Sequence, residues 1–189
     1  MNRAARLALH WAAAAALVAA AWGLHAITPP GMIAAEPFRV DARIGEPAEG
    51  RNLRVTVNGV HAASKVTEPE RGWYAEGRWV VVEFEAEATE SEREAYLSVM
   101  RLRIGDRTYR ASERPGLGFG PPARLSVGLP RQISAAFELP ENAGGIAELG
   151  IAYGAIGDER ADSLVVMPID LDALEVQPEV ELAPPGWAE

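Results

Sequence analysis

The sequence contains no cysteine and only three histidines among its 189 residues. Without cysteine the chain has no disulfide bond and no site for lipid modification of an N-terminal cysteine, so its core alone must stabilise a folded domain. Zinc sites need several His or Cys ligands at set spacing, and the sequence lacks them. We therefore expect neither a metal site nor a bound cofactor.

Lysine is nearly absent as well, since Lys65 is the only lysine beside 17 arginines. The formal charge is −9, and it becomes −11 when Arg3 and Arg6 are left out. An acidic domain gains no electrostatic attraction to nucleic acid or to anionic lipid. Nucleic acid is therefore not an expected partner.

Charged residues are missing from the segment Leu7 to Ile27. Its 21 residues are enough for one helix to cross a hydrocarbon core of roughly 30 Å. Arg3 and Arg6 precede the segment and the next basic residue after it is Arg39, so the positive-inside rule places residues 1–6 in the cytoplasm. The sequence predicts a single-pass helix over 7–27 with an extracytoplasmic C-terminal part.

A cleaved signal peptide is the alternative for the same segment, with cleavage after a small residue such as Ala21 or Ala35. The apolar run is longer than the usual signal core of about 7–15 residues, which favours a retained anchor. In both cases the remaining chain is exported.

Proline is concentrated on both sides of the exported domain. Residues 28–37 include Pro29, Pro30 and Pro37, which predicts a stiff, extended spacer. Residues 176–189 are acidic and rich in proline, which predicts a disordered tail in which Trp187 is an alternative docking residue. The domain itself is thus expected over 38–175.

Short runs of alternating apolar and polar residues occupy this domain, as in half-buried strands. The Gly105-Asp106 pair predicts a hairpin turn, and Pro168 predicts an edge strand or a strand end. The best helical candidate, Glu90 to Tyr96, is only one or two turns long. About seven to nine strands with loops of uneven length predict an all-β, immunoglobulin-like β-sandwich. The runs lie at 38–44, 53–57, 80–87, 100–104, 108–109, 133–139, 149–153 and 164–169.

Charges alternate along two of these runs. Glu83, Glu85 and Glu87 share one face of their strand, and Arg101 and Arg103 share one face of theirs. If the two strands are neighbours, opposite charges face each other on a solvated surface and help to hold the register. The alternative is a cation site, which the roughly 7 Å between alternate residues disfavours.

Catalytic patterns are weak in the exported part. His61 is its only histidine, is predicted near a strand end, and has no Ser in a nucleophile motif nearby. The sequence Gly116-Leu117-Gly118-Phe119-Gly120 lacks the lysine and the following helix of a phosphate loop, so it predicts a crossing with Phe119 on the core.

Acidic residues give no clear site either. Asp158, Glu159, Asp162, Asp170 and Asp172 lack the spacing of a calcium loop, and we expect them to be solvated. With 27 acids in the chain, some pair will always stand at the separation of a glycosidase pair. An envelope hydrolase is therefore a weak alternative.

Two adjacent aromatic residues, Trp73 and Tyr74, lie in the polar stretch from Thr67 to Gly77. Exposed aromatic side chains in a loop provide a recognition surface at little entropic cost. We identify them as a possible recognition loop, the alternative being that one of them covers the open end of the sandwich.

Three stretches resemble the exported telokin-like domains of Gram-positive bacteria, a group also described as immunoprotective extracellular domains. They are 77–84 (GRWVVVEF), 102–109 (LRIGDRTY) and 137–140 (FELP). The resemblance covers about Arg51 to Asp170. It implies a secreted or surface-anchored immunoglobulin-like sandwich, generally without demonstrated enzymatic activity.

Together these features predict a membrane-anchored, non-catalytic binding or adaptor domain of the bacterial cell envelope. Its partner would be an envelope protein, a wall component or an extracellular ligand. The alternative is an accessory subunit of a transporter-type membrane complex that uses the small-residue helix as its contact.

Overall fold

The computed structural model describes residues 3–27, 37–93, 95–154 and 163–188. The chain divides into two compact units, Met1–Glu36 and Pro37–Glu189. The expected spacer lies, apart from Pro37, outside the described residues.

The first unit contains one helix, α1 (Arg3–Ile27). Its segment Ala5–Ile27 has a mean hydropathy of 1.7 and is long enough to cross a membrane. Signal sequences near an N-terminus share these properties, so the helix fits both of the roles expected from the sequence.

Strands make up the regular structure described in the second unit. Thirteen strands are present there, four of them only two residues long, so the nine longer ones agree with the predicted seven to nine. They are β1 (Phe38–Asp41), β2 (Pro47–Gly50), β3 (Leu53–Glu68), β4 (Trp73–Glu87), β5 (Tyr96–Ile104), β6 (Arg107–Arg110), β7 (Ala123–Arg124), β8 (Arg131–Leu139), β9 (Ile146–Tyr153), β10 (Ser163–Asp170), β11 (Val176–Gln177), β12 (Val180–Glu181) and β13 (Gly186–Trp187).

The strands form two sheets, which confirms the predicted β-sandwich. Sheet A has the order β1-β10-β9-β5-β6, and β7 also pairs with β5. Sheet B has the order β11-β3-β4-β8-β13, and β2 and β12 also pair with β3. Alternate residues of both sheets, such as Val80, Phe84 and Phe137 in sheet B and Leu102 and Ile151 in sheet A, form the main core.

A second, smaller core lies on the outer face of sheet B. Val81 alternates with the inward-facing Val80 and Val82, yet all three are buried. Val81 and Trp79 pack there with Phe119 from the loop after β6, and with Val180 and Leu182 near the C-terminus. Sheet B is therefore covered on both faces, and the outer face of β4 is not fully solvated.

The C-terminal segment 176–188, here called the tail, is ordered, which makes the prediction of a disordered tail wrong. Strands β11 and β12 pair with β3 at one edge of sheet B, and β13 pairs with β8 at the other edge. Val180 and Leu182 are buried between these contacts. Few apolar residues suffice here because the sheet supplies the partners for the tail backbone.

The predicted ladder of glutamates facing arginines is also wrong, because β4 and β5 belong to different sheets. Glu87 and Glu85 interact instead with Arg54 and Asn58 of β3. Arg103 pairs with Glu148 of the neighbouring strand β9, at 3.1 Å. Period-2 patterns identify strand faces but not the neighbours of each strand.

Pro168 lies inside β10, which stands between β1 and β9 and is not an edge strand. Its pairing partner on β9 is Glu148. On the other side β1 pairs only as far as Val166, so the missing N–H falls where no ladder hydrogen bond is required. The prediction of an edge strand or a strand end is therefore wrong, because β10 continues to Asp170 in pairing with β9.

The buried tail gives a first prediction. Replacing fully buried Leu182 with Ala should lower the free energy of unfolding by about 2–4 kcal/mol, because it removes apolar contacts and leaves a cavity. The matched change Val176→Ala, at a tail residue that is 53% exposed, should cost less than about 0.5 kcal/mol. Urea denaturation of the full chain in mild detergent measures both, and equal effects would contradict the buried tail.

Glu148 gives a second prediction. Hydrogen bonding to the Arg39 guanidinium, assisted by the charge of Arg103, holds the pKa of the Glu148 carboxyl below its usual value although desolvation opposes this. A lowered pKa adds stability above the ordinary pKa of a glutamate, and this stability is lost as the pH falls through the lowered value. Glu148→Gln should therefore lower the free energy of unfolding near neutral pH.

The size of this effect should stay at or below about 1 kcal/mol, because solvent screens an ion pair in which Arg39 is half exposed. Denaturation curves recorded at neutral pH and at a pH below the ordinary glutamate pKa of about 4.3 measure the change in the free energy of unfolding. Glu141→Gln is the control, since its side chain has no ion pair among the described residues. If Glu148→Gln lowers the free energy of unfolding as much in acid as at neutral pH, the proposed stabilisation by the Glu148 ion pair is contradicted.

Candidate functional site

The prediction that Trp73 and Tyr74 lie in a loop is wrong. The two residues begin strand β4. The connection from β3 is confined to a tight turn over 69–72, closed by a hydrogen bond from the Gly72 N–H to the Pro69 carbonyl. The buried Glu68 carboxylate accepts the N–H groups of Glu70 and Arg71, both at 3.0 Å. This capping shortens the turn and extends the hairpin to the aromatic pair.

Because successive residues of a strand point to opposite faces, the two aromatic side chains separate. Trp73 is half-buried against the outer core of sheet B. Tyr74 lies on the other face and is 63% exposed. The pair is thus not one surface, and only Tyr74 is open to a ligand over most of its ring.

Trp73 belongs to a cluster built around Arg114. The rings of Trp73 and Trp79 meet edge to face with centroids 6.2 Å apart. The guanidinium carbon of Arg114 stands 5.8 Å from the Trp73 centroid and 5.7 Å from that of Trp79. Its head group also pairs with Glu138 at 2.8 Å. Cation–π attraction and this ion pair together hold the loop of Arg114 on the sheet.

Trp79 contributes through packing. Its ring is fully buried, and its indole N–H finds no acceptor among the described residues. An unpaired buried donor costs about 1–3 kcal/mol, which the apolar contacts of the ring must offset. The N–H is shielded from solvent, so it is not a ligand contact.

The loop that carries Arg114 also presents Leu117, which is 92% exposed. The Arg71 guanidinium donates to the Pro115 carbonyl at 3.1 Å. On the other side of Leu117, Gly118 (φ +96°) lies so close to the Pro185 ring that an added Cβ would stand 2.6 Å from it. Contacts on both sides therefore fix the loop beneath an exposed leucine.

Tyr74 is supported from its own face of the hairpin. The Lys65 ammonium lies 5.3 Å from the Tyr74 ring centroid and pairs with Glu179 of the tail at 3.0 Å. The tail thus contacts both parts of the site, through Glu179 near Tyr74 and through Pro185 near Leu117.

The domain has two ends, which we name from their contacts. At the tether end, Phe38 of β1 pairs with Ser163, and the Ser163 hydroxyl accepts the N–H of Arg51, just before β3 begins. Strand β3 runs from there to Glu68 and the turn before Trp73. We call this second end, with Tyr74 and Leu117, the hairpin end.

A long strand connects the two ends. Strand β4 has 15 residues at roughly 3.3 Å each. Measured along the strand, the two ends are about 50 Å of chain apart, and the exposed Tyr74 belongs to the end that does not receive the incoming chain. The tail contacts Thr67 through the Leu182 N–H and Pro130 through the Ala188 N–H, so the two ends lie closer together in space than the length of the strand.

His61 lies within β3 and not near a strand end as predicted. Register shifts between Val57 and Gly59 and between Ala63 and Lys65 interrupt the alternation of apolar and polar residues there. The sequence pattern therefore did not predict the second half of the strand. The His61 ring stands 3.6 Å from Glu83 and 3.3 Å from the Gln177 amide. These neighbours provide no nucleophile for a histidine base.

The other residues considered as possible sites have structural roles, as far as they lie in the described ranges. Asp170 accepts the N–H of Asp172, and Asp172 accepts that of Gly145, so both carboxylates cap turns. Phe119 packs on the outer core rather than the main one. In the described ranges no group of His, Cys, Asp or Glu is arranged to hold a metal. Asp158, Glu159 and Asp162 lie outside those ranges.

Sequence reasoning missed Arg114, Leu117 and Lys65. The glycines on both sides of Leu117 were the available signal, since a large apolar residue between two glycines in a polar setting indicates an exposed turn. No sequence signal pairs Arg114 with the tryptophans, because that contact depends on how the loop crosses sheet B.

The fixed loop gives a third prediction. Gly118→Ala should lower the free energy of unfolding by about 1–3 kcal/mol, because the new methyl group overlaps the Pro185 ring at a φ that Ala rarely adopts. Replacing Pro185 with Ala in the same chain should recover part of this loss, measured as a double-mutant cycle. Strictly additive effects would contradict the contact. Gly128→Ala, with open space around it, is the control for positive φ alone.

No family model and no curated protein matches the sequence. Two solved structures are similar at low identity. The yjhA protein from Bacillus subtilis is 16% identical, with a TM-score of 0.45 over 66% of this chain and 98% of that one. An uncharacterized β-sandwich protein from Clostridium difficile 630 is 10% identical, with a TM-score of 0.44 over 76% of this chain and 100% of that one.

Proposed function

We propose that this protein is a single-pass membrane protein of the cell envelope whose β-sandwich domain binds a partner outside the cytoplasm without catalysing a reaction. The apolar helix α1 supports the anchor, and Arg3 and Arg6 before its apolar run support a cytoplasmic N-terminus. The partner would be an envelope protein, a wall component or an extracellular ligand, and nucleic acid is disfavoured by the net charge of −9.

The exposed side chains at the hairpin end are the main support for this proposed function. Tyr74 is 63% exposed and Leu117 is 92% exposed, and both stand on backbone that is fixed by the turn, the tail and Arg71. A rigid aromatic or apolar side chain loses little entropy on binding. Both exposed side chains are therefore available to a partner.

Membership of the telokin-like, Gram-positive group is part of the same proposal. It is supported by the position of the resembling stretches, since GRWVVVEF lies in β4 and LRIGDRTY covers the β5–β6 hairpin. The resemblance implies a secreted or surface-anchored immunoglobulin-like sandwich, generally without demonstrated enzymatic activity.

A second candidate function is an accessory subunit of a membrane complex that contacts its partner through α1. The side chains of Trp11 and Trp22 stand on one face of the helix and flank a groove formed by Ala14, Ala15, Val18 and Ala19. Small residues let two helices approach closely in a bilayer, so this groove could receive a neighbouring helix.

A fourth prediction distinguishes these two functions. The first measurement is the intact mass of the protein in the membrane and culture fractions of a producing cell, which tests whether the anchor is retained. A full-length chain in the membrane supports the anchor, and a shortened chain in the medium contradicts it.

A photo-crosslinking residue at position 74 should then join a specific partner, and Leu117→Ala should weaken this crosslink because the partner loses an apolar contact.

The control is the same crosslinker at position 44, since Ile44 is 54% exposed and lies away from the hairpin end. A partner that survives Tyr74→Ala and Leu117→Ala but is lost when α1 is replaced by an unrelated apolar helix would contradict the hairpin site. That result would favour the subunit function.

A further inference from the structure

Strand β6 stands at one side of sheet A, where β5 is its neighbour. Three of its residues, Arg107, Thr108 and Arg110, are exposed, and Tyr109 packs against the main core. Among the described residues, no strand pairs with the side of β6 that faces away from β5, and we call this side the open edge. The backbone groups along such an edge are available to a further strand.

The hydrogen bonds of the β5–β6 hairpin show which backbone groups these are. Hydrogen-bonded and non-hydrogen-bonded positions alternate along an antiparallel pair. The Ala111 N–H donates to the Met100 carbonyl at 3.2 Å, so Ala111 stands at a hydrogen-bonded position. Arg110 is the preceding residue and Thr108 lies two residues before it, so both stand at non-hydrogen-bonded positions. The N–H and C=O groups of Arg110 and Thr108 therefore point to the open edge.

The side chains of these two residues lie on the outer face of sheet A, because they alternate with the inward-facing Tyr109. Across the hairpin, Arg110 faces Arg101 and Thr108 faces Arg103. Two like charges directly opposite each other destabilise a sheet, and in the described part of the chain Arg110 has no ion pair to offset this cost. The face beside the open edge is thus locally positive, although the chain as a whole is acidic.

The same face already holds one carboxylate from a neighbouring strand. Glu148 of β9 is directly opposite Arg103 of β5, and its carboxylate lies 3.1 Å from the Arg103 guanidinium. The Arg39 guanidinium binds the other oxygen of this carboxylate. A carboxylate on a strand added beyond β6 would meet Arg110 in the way that Glu148 meets Arg103.

Spacing favours an extended acidic segment as this partner. Alternate residues of a strand lie roughly 7 Å apart on one face, which is also the spacing of Arg110 and Thr108. One carboxylate of an added strand would face the Arg110 guanidinium, and the next would face the Thr108 hydroxyl, which can donate a hydrogen bond. Physiological salt screens the net charge of the chain beyond about 8 Å, so the nearby arginines dominate at contact distance.

We propose that the open edge of β6 binds an extended acidic segment of a partner protein as an additional strand of sheet A, with its carboxylates opposite Arg110 and Thr108. The main-chain hydrogen bonds supply affinity, and the charges select acidic sequences. This surface belongs to sheet A, whereas Tyr74 belongs to sheet B and Leu117 to the loop over sheet B. The inference therefore goes beyond the proposed function and does not depend on it.

A synthetic peptide tests this surface on the full-length protein in mild detergent. The probe is a fluorescein-labelled peptide in which Glu alternates with Thr, and its binding is followed by fluorescence anisotropy. The matched control peptide carries Gln in place of every Glu. We expect saturable binding of the acidic peptide and severalfold weaker binding of the control. Equal binding of the two peptides, or no binding of the acidic one, overturns the proposal.

One substitution locates the bound peptide. Arg110→Gln should weaken binding by about two- to fivefold, as expected for the loss of one partly screened ion pair. Arg51→Gln is the control, since Arg51 is exposed and its side chain has no ion pair among the residues that the structure describes. Binding to the Arg110→Gln chain that is as tight as to the unchanged chain overturns the assignment to β6.

Changes to the peptide backbone test whether it binds as a strand. Methylation of alternate backbone nitrogens, made separately in the two possible registers, removes the main-chain donors that strand pairing needs. We expect that at least one of the two methylated peptides no longer binds. Unchanged binding of both would show that charge alone holds the peptide, and this overturns the added strand.

Discussion

Sheet B must bury apolar side chains on both of its faces, and much of the domain is organised by this requirement. Val80 and Val82 face the main core, while Val81 and Trp79 on the same strand face outward. An outer face of this kind cannot be left in water without losing the free energy of apolar burial. Two irregular segments cover it, the loop that carries Phe119 and the C-terminal tail, so that both become structural elements although neither has the pattern of a strand or a helix.

Covering the outer face also builds the candidate site. The Gly116–Gly120 loop lies over the sheet because Arg114 packs against two tryptophans and Pro185 of the tail packs against Gly118. The same arrangement leaves Leu117 exposed above a fixed backbone. On the opposite face of the hairpin, the tail residue Glu179 holds Lys65 beside Tyr74. Stability and presentation of the hairpin end therefore depend on one set of contacts.

The sequence predicted the elements that follow from local patterns and missed those that depend on tertiary contacts. Alternation located β8 and the part of β5 from Met100 onward because their inward faces are regular there. It missed the start of β5, where a register shift lies between Leu97 and Val99, and it failed in β3 after Val57, where two register shifts interrupt the period. The tail was predicted as disordered from its composition, yet its order comes from backbone pairing with β3 and β8. The aromatic pair was recognised as a site candidate, but the short turn capped by Glu68 places Trp73 and Tyr74 on opposite faces of a strand.

The tail thus supports both the outer core and the candidate site, and amide hydrogen exchange of the full-length protein measures its order residue by residue. The Leu182 N–H is hydrogen-bonded to the Thr67 carbonyl and the Ala188 N–H to the Pro130 carbonyl, both at 2.9 Å. Hydrogen exchange requires such bonds to open. The pairing of the tail predicts that these two amides exchange slowly, at rates close to those of the amides of β3. Exchange across 176–188 as fast as in an unstructured peptide would contradict it.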